Sequence, residues 1–123
     1  MATDRFVYWQ KEQPSHEEFQ HYLEDFVGLL PGENGQVLGT VEWKPDQRRW
    51  YILLAGKSSH PLQRISEAPI PAGIHRDERF IEIYWDKNYV DIIIRSADVL
   101  TRSIANGLQN HIANYWHAKK EET

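Results

Sequence analysis

The residues of this chain that are suited to binding or catalysis are concentrated between Gly56 and Arg79. This stretch contains three prolines and no periodic apolar pattern, so we expect one long irregular loop. Loops of this length are uncommon inside compact domains and are usually functional or flexible. Its hydrogen-bonding and cationic side chains are Lys57, Ser58, Ser59, His60, Arg64, His75, Arg76 and Arg79. The loop is therefore the first candidate binding site, and the simpler alternative is a surface connection that its prolines only stiffen.

Histidine spacing argues against a metal site. His16 and His21 are five positions apart, whereas the zinc-binding helix motif His-Glu-x-x-His places its histidines four apart. Five positions rotate the two imidazoles about 140° around a helix, so one ion cannot reach both, and we expect both on the solvated helix face. His60 and His75 share the long loop without a spacing that is typical of metal ligands. No metal ion or other cofactor is predicted.

Motifs for catalysis are incomplete. The segment Ser58-Ser59-His60 sets hydroxyls beside an imidazole, but adjacent residues rarely reach the geometry of a catalytic triad, and no Gly-x-Ser-x-Gly motif accompanies them. Glu82, Asp86 and Asp91 could act as acid and base if a cleft held them, although solvated sheet edges carry such carboxylates as well. No catalytic residue is predicted. A small enzyme or ligand-binding protein with a pocket near residues 56–79 is the second hypothesis.

Arginines and aromatic residues are adjacent in the segment from Arg48 to Tyr51. Cations beside aromatic rings are typical of single-stranded nucleic-acid platforms, where rings stack on bases and arginine meets phosphate. If Trp50 faces the core and Arg49 lies opposite Glu42, then Arg48 and Tyr51 are free to bind. The chain carries 14 Lys and Arg against 18 Asp and Glu, a net charge of -4, which disfavours binding to a phosphate backbone. Nucleic-acid binding is therefore the third hypothesis.

Composition excludes several classes of protein. The 123 residues suit a single domain over 1–123, and the absence of cysteine excludes disulfides, thiolate catalysis and iron–sulfur clusters. A cysteine-free chain fits a reducing compartment. No apolar run reaches the roughly 18–20 residues that cross a bilayer, and the start from Met1 to Arg5 lacks a signal-peptide segment. We expect a cytoplasmic protein that does not contact the membrane.

Apolar spacing predicts two helices, the first of them after a short strand from Phe6 to Trp9. Ser15 and Glu18 form a capping-box pattern, in which each side chain satisfies a backbone N–H at a helix start. The apolar stripe that follows consists of Phe19, Tyr22, Leu23, Phe26, Val27 and Leu30. The stripe of the second helix consists of Leu100, Ile104, Leu108, Ile112 and Trp116. We expect Lys119 and Lys120 at the carboxyl end of the second helix.

Two β-hairpins are predicted between the helices. In the first, residues 36–44 and 48–55 are joined by Pro45-Asp46, with Lys44 opposite Gln47. The second hairpin turns at Lys87-Asn88. Its core side pairs Trp85 with Val90, Ile83 with Ile92 and Ile81 with Ile94, and its other side carries Phe80, Glu82, Tyr84, Asp91, Ile93 and Arg95.

The order of these elements predicts the fold class. The chain runs strand, helix, strand, strand, loop, strand, strand, helix. Neighbouring strands joined by short turns form antiparallel pairs, and amphipathic helices bury their apolar stripes against a sheet. We expect an α+β fold with an antiparallel sheet of about five strands and both helices packed on one face.

Charge and aromatic content favour a protein partner. The first helix is acidic, whereas cations collect near the middle of the chain. Tyr, Trp and Arg are enriched at binding hot spots, and a domain this small cannot bury all of its aromatic rings. The leading hypothesis is a non-catalytic protein-interaction module, such as an adaptor, inhibitor or immunity-type protein, which binds an unidentified partner through the exposed sheet face or the long loop. Exposed aromatic area also allows a homodimer. The candidate binding residues are His60, Arg64, His75, Arg76, Arg79, Arg48, Tyr51 and Tyr84.

Overall fold

The computed structural model describes residues 3–30, 39–57, 78–95 and 99–122 of the chain. These residues form the elements β1 (Thr3–Tyr8), α1 (His16–Gly28), β2 (Gly39–Lys44), β3 (Arg49–Lys57), β4 (Glu78–Trp85), β5 (Tyr89–Ile94), α2 (Val99–Tyr115) and β6 (Lys119–Glu122). The predicted α+β class is confirmed. Neither of the two described helices has the length and apolar character that a bilayer span requires.

The strands form one antiparallel sheet in the order β2-β3-β4-β5-β1-β6. The five predicted strands are present, and β6 is an addition to them. The two predicted hairpins provide β2 to β5 as a meander, in which each strand pairs with the next. β1 lies between β5 and β6, so strands from the two ends of the described chain are neighbours in space.

The sixth strand replaces the predicted carboxyl end of the second helix. α2 ends at Tyr115, and His117 has a left-handed backbone with a φ of 51°. The N–H of Ala118 then donates a hydrogen bond to the carbonyl of Ala113 at 2.8 Å. This turn ends the helix, so the lysines at 119 and 120 lie in a strand that pairs with β1, and the prediction that they cap the helix is wrong.

The first helix begins where the capping pattern predicts. The Ser15 hydroxyl accepts a hydrogen bond from the backbone N–H of Glu18 at 3.1 Å, which satisfies one of the free donors at the helix start. Phe19, Leu23 and Val27 follow at spacings of four and are buried. The apolar stripe therefore faces the sheet, as predicted.

The turn between β2 and β3 is longer than the sequence predicts. Pro45–Gln47 forms a short 3-10 turn, and Arg48 follows with a left-handed backbone at a φ of 54°. As a result Lys44 pairs with Arg49, not with Gln47. The sequence predicts a two-residue turn that begins at Pro45. In the structure the loop has four residues, 45–48, and the left-handed Arg48 ends it.

The longer turn shifts the register of the first hairpin by two residues. A shift of two preserves which face each side chain occupies, so Val41 and Trp50 still share the core side. The cross-strand neighbours change, however. Glu42 lies opposite Tyr51, so the predicted pairing of Glu42 with Arg49 is wrong.

The second hairpin has the predicted register. Trp85 pairs with Val90 and Ile83 pairs with Ile92. Together with both helices, the core side of the strands forms one hydrophobic cluster, which confirms that the helices pack on a single face of the sheet. Its fully buried members are Val7, Phe19, Leu23, Trp50, Ile52, Ile81, Ile83, Val90, Ile92, Ile94, Ala105, Leu108 and Ile112.

One of the two α1 histidines is part of this packing. His16 is half-buried and stacks on Trp50, with the ring centroids 4.7 Å apart and an interplanar angle of 24°. It also packs edge-on against Trp43, with the ring centroids 4.3 Å apart. Burial lowers the pKa of His16, which favours the neutral ring. The prediction that His16 is solvated is therefore wrong, whereas His21 is exposed as predicted.

Candidate functional site

The side of the sheet opposite the helices carries a cluster of charged and aromatic side chains. Side chains alternate along a strand, so the residues next to the core positions of β1, β3, β4 and β5 share this side. We call it the outer face and define it by Phe6, Arg49, Glu82, Tyr84 and Asp91. Cross-strand register places Arg49 beside Tyr84, Tyr84 beside Asp91, and Asp91 beside Phe6.

A buried carboxylate lies at the centre of the outer face. Glu82 has no exposed surface. One of its oxygens, Oε2, lies 2.5 Å from Nη1 of Arg49, and Oε1 lies 2.6 Å from Nε of Arg95. A buried carboxylate is stable only when paired, and two guanidinium groups, which stay protonated in proteins, provide that pairing here. We call Glu82, Arg49 and Arg95 the triad. Its two positive charges and one negative charge leave it with a net positive charge.

Tyr51 lies in the row beside Glu82 and is buried with it. Its exposed fraction is 1%, and its hydroxyl donates a hydrogen bond to Oε1 of Gln47 at 2.5 Å. Burial first, and the Glu82 carboxylate second, raise the pKa of Tyr51, so it stays protonated. The predicted binding residue Tyr51 is therefore held inside the site, beside Glu82 of β4, and does not offer a free surface.

Arg48 and Tyr84, both predicted as binding residues, lie together on the outer face. The guanidinium carbons of Arg48 and Arg49 lie 5.8 Å and 5.6 Å from the centroid of the Tyr84 ring. The backbone of Arg48 is held in place, because its carbonyl accepts a hydrogen bond from the N–H of Trp85 at 2.9 Å. Its side chain is exposed. Two cations thus flank one ring that is itself half-exposed.

Aromatic rings continue across the neighbouring strands. The centroids of Tyr8 and Tyr89 are 5.4 Å apart, and Phe6 lies 5.6 Å from Tyr89 and 5.9 Å from Tyr8. All three rings are half-exposed. We call these three residues the aromatic patch. An open recess of about 460 Å³ borders the patch and is lined by Tyr8, Trp9, Gln10, Asn88, Lys119 and Glu121.

A pair of carboxyl groups completes the outer face. Burial raises the pKa of Asp91 to about 8, and the charge of Asp4 and a hydrogen bond to its carboxyl group add to this effect. Within the described residues, the Oδ1 atom of Asp91 is buried and makes no hydrogen bond. Near neutral pH the Asp91 carboxyl therefore holds a proton for much of the time, which reduces the negative charge of the face.

Replacing Asp91 with asparagine should change how stability depends on pH. An aspartate in the unfolded chain releases its proton near pH 3.8, whereas folded Asp91 keeps it up to about 8, so rising pH destabilises the fold between these values. Asparagine resembles the protonated form and removes this loss. Because solvent reaches part of the side chain, we expect a gain of only about 1–2 kcal/mol at pH 8.5 and little gain at pH 4.5.

Urea unfolding at pH 4.5, 7 and 8.5 tests this prediction. The exposed turn residue Asp46 provides the control, because Asp46→Asn removes the same charge without a buried environment. A stability difference between Asp91→Asn and the natural protein that stays constant over this pH range would contradict the prediction.

Among the remaining predicted site residues, only Arg79 belongs to the part of the chain that the structure describes. Arg79 pairs with Leu54, which is a core residue, so Arg79 lies on the helix side of the sheet. His60, Arg64, His75 and Arg76 lie outside the described residues. In the described ranges, no group of three or more His, Asp or Glu side chains is arranged to hold a metal ion.

Comparison of the chain with protein-family models, with curated proteins and with solved structures finds no match.

Proposed function

We propose that this protein is a non-catalytic interaction module that binds an acidic surface of a partner protein through its outer face. The observation that carries the proposal is the placement of two arginines against Tyr84, beside the aromatic patch. Tyrosine and arginine are the residue types enriched where binding energy is concentrated at protein interfaces, because each offers a large contact area together with hydrogen bonds.

Charge complementarity supports an acidic partner. Arg49 and Arg95 outweigh the one charge of Glu82, and proton uptake by Asp91 removes negative charge from the same face. Arg48 adds a planar guanidinium that can bind a carboxylate through two parallel hydrogen bonds. An acidic surface would meet few unpaired negative charges in this region, and its approach would be accelerated by electrostatic attraction.

Rigidity also supports a binding role. The face consists of paired β-strands, and the triad around Glu82 restrains two of the arginine side chains. Groups that are already held in position lose less conformational entropy when a partner binds. Arg48 adds an exposed side chain on a backbone that is held by the hydrogen bond to β4. The face therefore combines restrained, partly buried arginines with one exposed cation.

Removing the Arg48 guanidinium should weaken partner binding about tenfold or more. Arg48→Asn is the preferred variant, since asparagine tolerates the left-handed backbone of this position. The partner is first isolated by affinity capture from cells that naturally contain the protein, and its affinity is then measured for the natural protein and the variant. We also expect the affinity to fall as salt concentration rises.

Glu24→Lys on α1 is the matched control, because Glu24 is exposed and lies on the helix side of the sheet. It should leave the affinity nearly unchanged. A partner that binds Arg48→Asn and the natural protein equally well, or a reproducible failure to capture any partner, would count against the proposal.

A further inference from the structure

A second candidate surface lies on the other side of the molecule, where α1 and α2 are joined through Tyr22. The ring centroid of Tyr22 is 4.5 Å from that of Trp116 and 5.1 Å from that of Tyr115. Its hydroxyl is hydrogen-bonded to Nδ1 of His111. Burial raises the pKa of Tyr22, so the hydroxyl keeps its proton. These contacts fix the distance between the helices and provide a firm aromatic floor.

A groove of about 380 Å³ runs beside this floor. Leu29 and Tyr115 line it and expose 79% and 62% of their surface. Exposed apolar area of this kind is costly in water unless something covers it, so its concentration in a concave surface indicates a docking site. The α1 side of the groove extends from Glu18 to Leu29, which corresponds to about 16 Å of helix, or three turns.

The charge of the groove limits what can cover it. Glu18 and Asp25 line the groove, and the whole of α1 contains no lysine or arginine. In the part of the chain that the structure describes, the carboxylates of Glu18 and Asp25 have no ion-pair partner. A partner segment that is both apolar and cationic would cover the exposed apolar side chains and also pair with the carboxylates of the groove.

We propose that the groove between α1 and α2 docks a cationic amphipathic helix of a partner protein. Its apolar side chains would cover Leu29 and Tyr115, and its lysines or arginines would meet Glu18 and Asp25. Docking of an amphipathic helix into a hydrophobic groove is a recurrent mode of peptide recognition, in which residues at helical spacing provide the anchors. The groove and the outer face lie on opposite sides of the sheet, so this proposal does not depend on the proposed function.

Binding of a model peptide tests this proposal directly. The probe is a fluorophore-labelled helical peptide of about 18 residues, with leucines along one face and lysines elsewhere, and binding is followed by fluorescence anisotropy at low salt. Asp25→Lys should weaken the binding at least about tenfold, and Leu29→Lys should do the same. Glu24→Lys makes the same change in net charge as Asp25→Lys, but outside the groove, and should weaken the binding less than about threefold. Circular dichroism checks that each variant keeps its fold.

Several results would overturn the proposal. A peptide with glutamate in place of lysine should bind far more weakly, and equal binding would show that charge does not select the occupant. Loss of binding in Arg48→Asn but not in Asp25→Lys would place the peptide on the outer face. A concentration-dependent dimer in sedimentation that Leu29→Lys dissociates would identify a second copy of this chain as the occupant. Absence of peptide binding to the natural protein would also reject the proposal, without affecting the proposed function.

Discussion

Replacing Glu82 with alanine should lower the free energy of unfolding by about 3–5 kcal/mol, because it removes the counter-charge of two guanidinium groups. Arg95 is the more affected partner. Its side chain is only 11% exposed, compared with 28% for Arg49, so it is less able to turn towards water. Tyr51 would also lose a buried neighbour in the same row. Urea unfolding at neutral pH, followed by circular dichroism, measures the loss.

A matched surface variant shows whether burial causes this effect. Glu42 lies on β2, at the edge of the same sheet, and forms an exposed ion pair with Lys44 at 3.6 Å. Glu42→Ala should cost less than about 1 kcal/mol. If Glu82→Ala does not fold, Glu82→Gln keeps the shape and one acceptor oxygen, and it should fold with a smaller loss. A loss for Glu82→Ala that is no larger than that for Glu42→Ala would show that the triad does not stabilise the fold.

Replacing Trp50 with alanine should cost about 3–5 kcal/mol as well, for a different reason. Trp50 is fully buried, and its ring centroid lies 4.5 Å from that of Trp43 and 5.1 Å from that of Trp85. Its Nε1–H also donates a hydrogen bond to Gln20 on α1. Alanine would leave a cavity between helix and sheet, and the half-buried amide oxygen of Gln20 would lose its donor.

Trp43 provides the control for Trp50. It belongs to the same aromatic cluster, but it is only half-buried and lies on β2, at the edge of the sheet. Trp43→Ala should therefore cost about half as much as Trp50→Ala, since water can fill part of the vacated space. Thermal unfolding of both variants provides the comparison. Equal losses would indicate that contact with His16, which both rings share, matters more than burial.

Apolar spacing was sufficient to predict two helices and five strands, but it did not predict the sixth. β6 has the sequence Lys-Lys-Glu-Glu, which offers no apolar alternation to distinguish a strand from a frayed helix end. Its position depends on a left-handed residue at His117 and on pairing with β1, and neither is visible in a hydrophobic pattern. A left-handed residue that the hydrophobic pattern does not predict also occurs in the first hairpin, where Arg48 ends the turn and sets the register of β2 and β3.

The composition of the outer face was predictable in part. Alternation placed Glu82, Tyr84 and Asp91 on one side of a hairpin, and the structure confirms this assignment. Alternation cannot specify which strand becomes the next neighbour. β1 pairs with β5, and this distant pairing brings Phe6 beside Asp91 and Tyr8 beside Tyr89. The aromatic patch and the carboxyl pair therefore depend on contacts between residues far apart in sequence.

The position of β1 between β5 and β6 affects how the protein folds during synthesis. Arg5 on β1 is hydrogen-bonded to Asn106 on α2, a residue 101 positions later. The β2–β5 meander can pair as it leaves the ribosome, because each of its strands follows its neighbour. β1 precedes the meander in sequence, yet it can pair with β5 only after the whole meander has been made, and its contacts with α2 and β6 form later still. Closing so long a loop is entropically costly and slow, and during this delay an aromatic strand stays available to chaperones or to the wrong neighbour.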